Sequence, residues 1–188
     1  METPTDSFVM QLVQIGETAR LADLFERYNV PLFRYLLLLS DNRAASEDLV
    51  QEVFFRVLKY ARSYDPDQSF PAWLYQMARN AHRDYLRKRR GEVQDDGLSD
   101  DAREIRSSQP MPEELFARKQ DVHFLHRALH QLPEDKRDVL VLSRFHNLRY
   151  EEIARIMECE VGTVKVRVYR ALKQLRETFC ELRGEKAV

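Results

Sequence analysis

Glycine is scarce in this chain, five of 188 residues, and proline is limited to seven. That shortage excludes collagen-like and low-complexity architectures and favours helix. Only two cysteines occur, Cys159 and Cys180. They make no disulfide framework, so a reducing cytoplasm is the compartment expected. Long apolar runs are missing too. The longest, Tyr35 to Leu39, falls far short of the roughly 18 residues that signal a membrane-spanning helix. The first residues, Met1-Glu2-Thr3-Pro4-Thr5-Asp6, are acidic and lead into no apolar stretch, so no secretory leader is expected. The sequence contains no glycine-rich phosphate loop, nucleophile elbow or catalytically spaced carboxylate pair. An enzyme reading therefore has no residues to support it, and no cofactor is expected.

What is present is charge in blocks. The net charge is only -1. From Arg79 to Arg90 there are six Arg or Lys against one Asp84. From Gly91 to Glu114 there are eight acids against Arg103 and Arg106. From Lys165 to Arg176 there are five bases and no acid. Two basic segments flanking an acidic one point to two separate contacts with a polyanion.

The apolar residues recur with helical period throughout, and no period-2 segment marks a strand. Phe8, Leu12 and Ile15, followed by Leu21, Leu24, Phe25 and Tyr28, suit one or two amphipathic helices. Pro31 marks a joint before an apolar helix through Leu39. Ser40-Asp41-Asn42 is a turn with capping chemistry. The pairs Leu49/Val50, Val53/Phe54 and Val57/Leu58 make a regular stripe. After a loop from Ser63 to Gln68, Ser69 and Pro71 open a helix to about Arg90. Residues 91–112, rich in acids, Ser and Pro, read as an extended linker. Helix resumes with Leu115, Val122, Leu125, Leu129 and Leu132, and again with Val139, Leu140, Leu142 and Phe145. The expected fold is all-α, with two small helical domains joined by a flexible acidic linker, each domain near the lower size limit for its own core.

Three motifs carry the chemistry. Near the C-terminus, Tyr150 to Met157 and a long helix from about Gly162 are separated by a short turn. The seam Val164, Val168, Ala171, Leu175 and the small Ala154 fit a helix-turn-helix. Its second helix turns Thr163, Val166, Arg167 and Arg170 outward with Lys165 and Tyr169 on the flanks, donors suited to a major groove. In the second motif, Asp48, Gln51, Glu52 and Phe55 share a helix face opposite the core stripe. Local chemistry fits an arginine-bearing partner and a solvated face equally. In the third, Phe70 to Arg90 interleaves aromatics and bases. Arg79, Arg83 and Arg87 form a phosphate-tracking stripe, Lys88 adds charge, Asn80 offers paired donor and acceptor, and aromatic rings can stack on unpaired bases. Trp73 fits core packing better than stacking.

These residues resemble an extracytoplasmic-function (ECF) sigma factor of the sigma-70 family. Asp48-Leu49-Val50-Gln51-Glu52-Val53-Phe54 resembles that family's core-polymerase-binding helix. Ala72-Trp73-Leu74-Tyr75 to Arg90 resembles its promoter -10 helix. Leu132-Pro133, Glu152-Ile153-Ala154 and Val161 to Leu175 resemble its -35-binding domain. The resemblance implies region 2 over residues 1–90, a linker over 91–112 and region 4 over 113–184. It also implies core RNA polymerase, promoter DNA and an anti-sigma protein as partners. Val166 stands where the family often has Ser, which removes a hydroxyl near DNA. The competing reading is an ordinary DNA-binding regulator with a helical sensing or dimerisation domain. Such a regulator has no use for a second basic-aromatic helix or for the Asp48/Gln51/Glu52 face. His123, His126 and His130 share one flank of a helix, and a solvated flank is preferred there to a metal site. Cys159 and Cys180 are read as free thiols.

Overall fold

The computed structural model describes residues 4–92, 113–146 and 148–184, and no strand occurs among them. The expected linker falls outside the described residues from 93 onward. Eight α-helices follow: α1 (Asp6–Gln14), α2 (Leu21–Ser40), α3 (Arg43–Lys59), α4 (Phe70–Glu92), α5 (Glu113–His130), α6 (Glu134–Phe145), α7 (Tyr150–Ile156) and α8 (Val161–Arg183). Single 3-10 turns precede α2 and follow α3.

The first helical unit, α1 to α4, departs from the sequence expectation at several points, among them Phe25, which is exposed rather than on the buried side of α2. In α1 the buried residues are Val9, Met10 and Val13, while Phe8 and Ile15 are exposed. Both sets are helical stripes, so periodicity alone does not choose between them. Polar anchors set the rotation. Asp6 accepts hydrogen bonds from Arg27 and Tyr28, and the Gln14 amide donates to the carbonyls of Ala61 (3.0 Å) and Tyr64 (2.7 Å). Another departure is Pro31, which lies inside a continuous α2 rather than at a joint. An interior proline costs about 3 kcal/mol. Burial of Leu24 before it and of Leu32, Tyr35, Leu36 and Leu39 after it offsets that cost.

The Ser40-Asp41-Asn42 turn is built as its residues suggest. Asp41 takes the left-handed conformation at φ 53°, which an Asp tolerates, and the Asn42 side chain caps α3 by accepting from Ala45 N at 2.9 Å. The stripe of α3 is buried at Leu49, Val50, Val53, Phe54 and Val57, whereas Leu58 is exposed.

In the second unit, α7 and α8 form the expected helix-turn-helix. Ile153, Ala154, Ile156 and Met157 are buried against a seam of Val164, Val168 and Ala171, with Leu175 partly buried. Glu158 turns the chain between the helices at φ 52°. The expected seam of α5 is shifted: Ala128, Leu129 and Leu132 are buried, but Val122 and Leu125 are exposed. Phe145, expected on the apolar side of α6, is exposed, and Val141 is buried instead.

The two units do not keep separate cores. One cluster of buried side chains runs from Val9 through Tyr35 and Tyr75 to Val139, Ile153 and Ala171. Helix α2 packs on α6, and α4 packs on α7. Each unit is too small to cover all its apolar surface alone, and each covers part of the other's.

Candidate nucleic-acid and partner interfaces

On α3, Asp48, Gln51, Glu52 and Phe55 are all exposed on one side, Phe55 at 62%. Glu52 accepts from Arg56 Nε at 2.7 Å, and Arg56 also reaches Asp84 on α4 at 3.0 Å. These bonds hold α3 to α4 and fix the direction of the Glu52 carboxylate. Beside this face lies an apolar groove, missed from the sequence, formed by Phe25, Val30 and Phe33 of α2 with Val50 and Gln51 of α3. Its signal was a second apolar set on α2, which the pattern for a single buried face does not need.

The residues expected on the -10 helix divide into two groups. Asn80, Arg83, Arg87 and Lys88 are exposed. Trp73 is partly buried against the core, its ring 5.1 Å from that of Tyr64 and 6.2 Å from that of Phe70. Arg79 is only 5% exposed. Its Nε donates to Asp138 Oδ2 at 2.9 Å and its Nη2 to Asp135 Oδ1 at 3.1 Å. Arg83 donates to the same Asp135 oxygen at 3.2 Å and lies 3.5 Å from Glu134. Arg87 pairs with Asp84 of its own helix at 2.8 Å. The stripe 79, 83, 87 therefore exists, but its first two members are engaged by α6.

Asp138 sits at the centre of this contact, 1% exposed. It also accepts from the Tyr35 hydroxyl at 3.0 Å. Burial pushes its carboxyl up to about 6, although Arg79 and Tyr35 favour the charged form. The neighbouring Tyr75 hydroxyl pairs with His146 Nδ1 at 2.7 Å, and Ser69 donates to Glu152 at 2.6 Å. Arg137 closes the other end, donating to the carbonyls of Leu39, Leu129, His130 and Leu132. Sequence reading gave Asp135 and Asp138 no role, because their arginine partner is more than 50 positions away.

On α8, Thr163, Lys165, Val166, Tyr169 and Arg170 are exposed and Arg167 is half-buried. Val164 and Val168 hold the opposite side in the core. The helix thus presents a face of mixed hydrogen-bonding, cationic and apolar groups, with its N-terminal end outward. His123 and His126 are exposed, and His130 lies 3.6 Å from Asp41. Among the described residues no group of three or more His, Cys, Asp or Glu is arranged to hold a metal ion. Nor is any described helix long and apolar enough to cross a membrane.

Comparison with known proteins meets this geometry. The sigma-70 region 2 family matches residues 24–92, and the sigma-70 region 4 family matches residues 125–175. The chain belongs to the ECF group of the sigma-70 family. It is 38% identical over 148 residues to the ECF RNA polymerase sigma factor EcfG of Rhodopseudomonas palustris, covering 78% of each chain. It is 32% identical to the ECF sigma factor SigE of Mycolicibacterium smegmatis over 88% of its own length, spanning 63% of that longer protein. A solved structure of the sigma factor RpoE in complex with the anti-sigma factor NepR, from Bartonella quintana, superposes with a TM-score of 0.66. That match is 30% identical and covers 83% of this chain and 96% of the other. As a sigma factor the protein acts with RNA polymerase in promoter recognition and transcription initiation, and it is not an enzyme. The region 2 match includes α3 and α4, and the region 4 match includes the helix-turn-helix.

Proposed function

We propose that this sigma factor divides its contacts among three helices. The exposed face of α3 (Asp48, Gln51, Glu52, Phe55) docks on core RNA polymerase, and the groove beside it accepts an apolar side chain of the same partner. Helix α4 holds the -10 element once it is single-stranded, with Asn80 and Arg83 near bases and Arg79, Arg87 and Lys88 near phosphates; Trp73 shapes that site by packing. Helix α8 enters the major groove of the -35 element. The carrying observation is the α8 face, where Thr163, Lys165, Val166, Tyr169 and Arg170 stand exposed opposite the buried Val164, Val168 and Ala171. The cytoplasm follows as the place of action, and an anti-sigma protein is a further partner, as in the RpoE–NepR complex.

The α3 assignment is tested by Asp48→Arg combined with Glu52→Arg. Loss of one partner of a desolvated charge pair costs about 2–5 kcal/mol. Core binding should vanish while helical circular dichroism persists. Unchanged affinity for core sinks the assignment. The α4 assignment is tested by Asn80→Ala, which should slow open-complex formation on duplex promoter more than it weakens core binding, because capturing an unpaired base offsets a few kcal/mol of unstacking. If duplex and pre-melted promoter respond alike, α4 has no part in melting.

A further inference from the structure

The outward face of α8 is centred on an apolar residue. Val166 is 48% exposed, and Tyr169, one turn on, is 71% exposed. At about 100° per residue, Val164 and Val168, two positions before and after Val166, turn to the opposite side of the helix, where both are buried. Val166 therefore stands on the midline of the outward face. Lys165 and Arg167 turn about 100° to either side of it. Thr163 and Arg170, both exposed, lie about one turn before and after it.

Position along the helix agrees with rotation about it. Helix α8 starts at Val161, so Val166 lies in its second turn. In a helix-turn-helix the first turns of the second helix meet base edges. Cations on the two flanks reach phosphates on the two walls of the groove, and the residue between them faces the floor. The Val166 side chain has no donor and no acceptor. Of the groups on a major-groove floor, the thymine C5-methyl is the one such a side chain matches. Against a guanine oxygen or a cytosine amino group it would displace water and leave that group unpaired.

We propose that Val166 reads the C5-methyl group of one thymine in the -35 element, so that this sigma factor selects a T·A pair at that position. This rests on the placement of α8 in the major groove given above, and adds to it the chemistry of one base. Arg170 and Thr163 serve neighbouring positions through hydrogen bonds, whereas the Val166 contact is purely apolar. Burial of one methyl group is worth about fourfold in affinity, or about 0.8 kcal/mol.

The test measures binding of holoenzyme, core RNA polymerase with the full chain, to a duplex promoter recovered by selection, at one salt concentration. Each thymine of its -35 element, on either strand, is replaced in turn by deoxyuridine. That change removes the methyl group and keeps every hydrogen-bonding group of the base. At one position it should weaken binding about fourfold. Val166→Ser, an exposed change that leaves the buried seam in place, should bind the thymine and uracil duplexes alike at that position. Val166→Gln takes its place should the serine chain lose helical circular dichroism. These two results together support the proposal. A parent that tolerates uracil at every position, or a thymine preference that survives in the Val166 variant, overturns it. A duplex with a scrambled -35 element separates the two readings. If the parent rejects it and yet tolerates uracil everywhere, α8 reads the element and Val166 reads no methyl group. If the parent binds it as well as the correct element, α8 has no part in -35 reading and both readings fall.

Discussion

His82 is 2% exposed on α4, and its Nε2 has no hydrogen-bond partner. Burial, helped by the Arg137 charge, pushes its imidazole down to about 4. A group whose folded value lies below its unfolded value of 6.5 resists protonation only in the folded state. Its contribution is complete above pH 6.5 and is lost as pH falls toward 4, by about 3 kcal/mol over that interval. Asp138 works in the opposite sense, because burial raises its carboxyl from 3.8 to about 6. Comparing the parent with His82→Leu cancels Asp138 and isolates the histidine. Urea unfolding at pH 7 and pH 4 should show the parent losing about 3 kcal/mol more than His82→Leu. Equal losses refute the assignment. The histidine's place was not legible from the sequence. His82 stands among Arg79, Arg83 and Arg87, and nothing local separates it from that charged surface.

At the scale of elements, the helix-turn-helix was the most legible part. Val164, Val168 and Ala171 recur at helical spacing, and the exposed donors fall between them, so period and charge agree on one rotation. Helix α1 was not legible in the same way, since Phe8, Leu12, Ile15 and Val9, Met10, Val13 both make stripes. Gln14 and Asp6 decide between them through bonds to residues more than 20 positions away. Pro31 misled for a related reason: local geometry argues for a break, and burial on both sides overrides it. Helix α8 carries its own prediction. In the proposed -35 contact Arg170 reads a base edge, and a base-reading arginine is worth about 1–3 kcal/mol. Arg170→Ala should reduce discrimination between a correct and a scrambled -35 element. Lys165→Ala should weaken both alike and lower the salt slope by about 1. Full discrimination retained by an Arg167→Ala, Arg170→Ala double variant would contradict the placement of α8.

The whole molecule shows what the sequence could not. Helical class and the alternation of basic and acidic blocks could be read from periodicity and composition, and the division into regions 2 and 4 was implied by the resemblance to ECF sigma factors. The packing of α2 and α4 on α6 and α7 could not, because pairs such as Tyr35–Asp138 and Arg79–Asp138 join residues whose neighbourhoods carry no mutual pattern. The two units meet through arginines that the sequence reading gave only to DNA: Arg79 and Arg83 are both held by acids of α6. Removing one partner of the buried Arg79–Asp138 pair costs about 3–5 kcal/mol. In the proposed division of contacts one chain supplies polymerase binding, -10 capture and -35 reading. The most direct measurement is run-off transcription with purified core RNA polymerase and this chain, with no other factor, on a promoter recovered by selection from random duplex DNA. The expected result is a transcript of defined start that depends on both selected elements and disappears with Asp48→Arg/Glu52→Arg. Retention of promoter DNA by the chain without core, and no transcript when core is added, would mark it as an ordinary DNA-binding regulator and contradict the account.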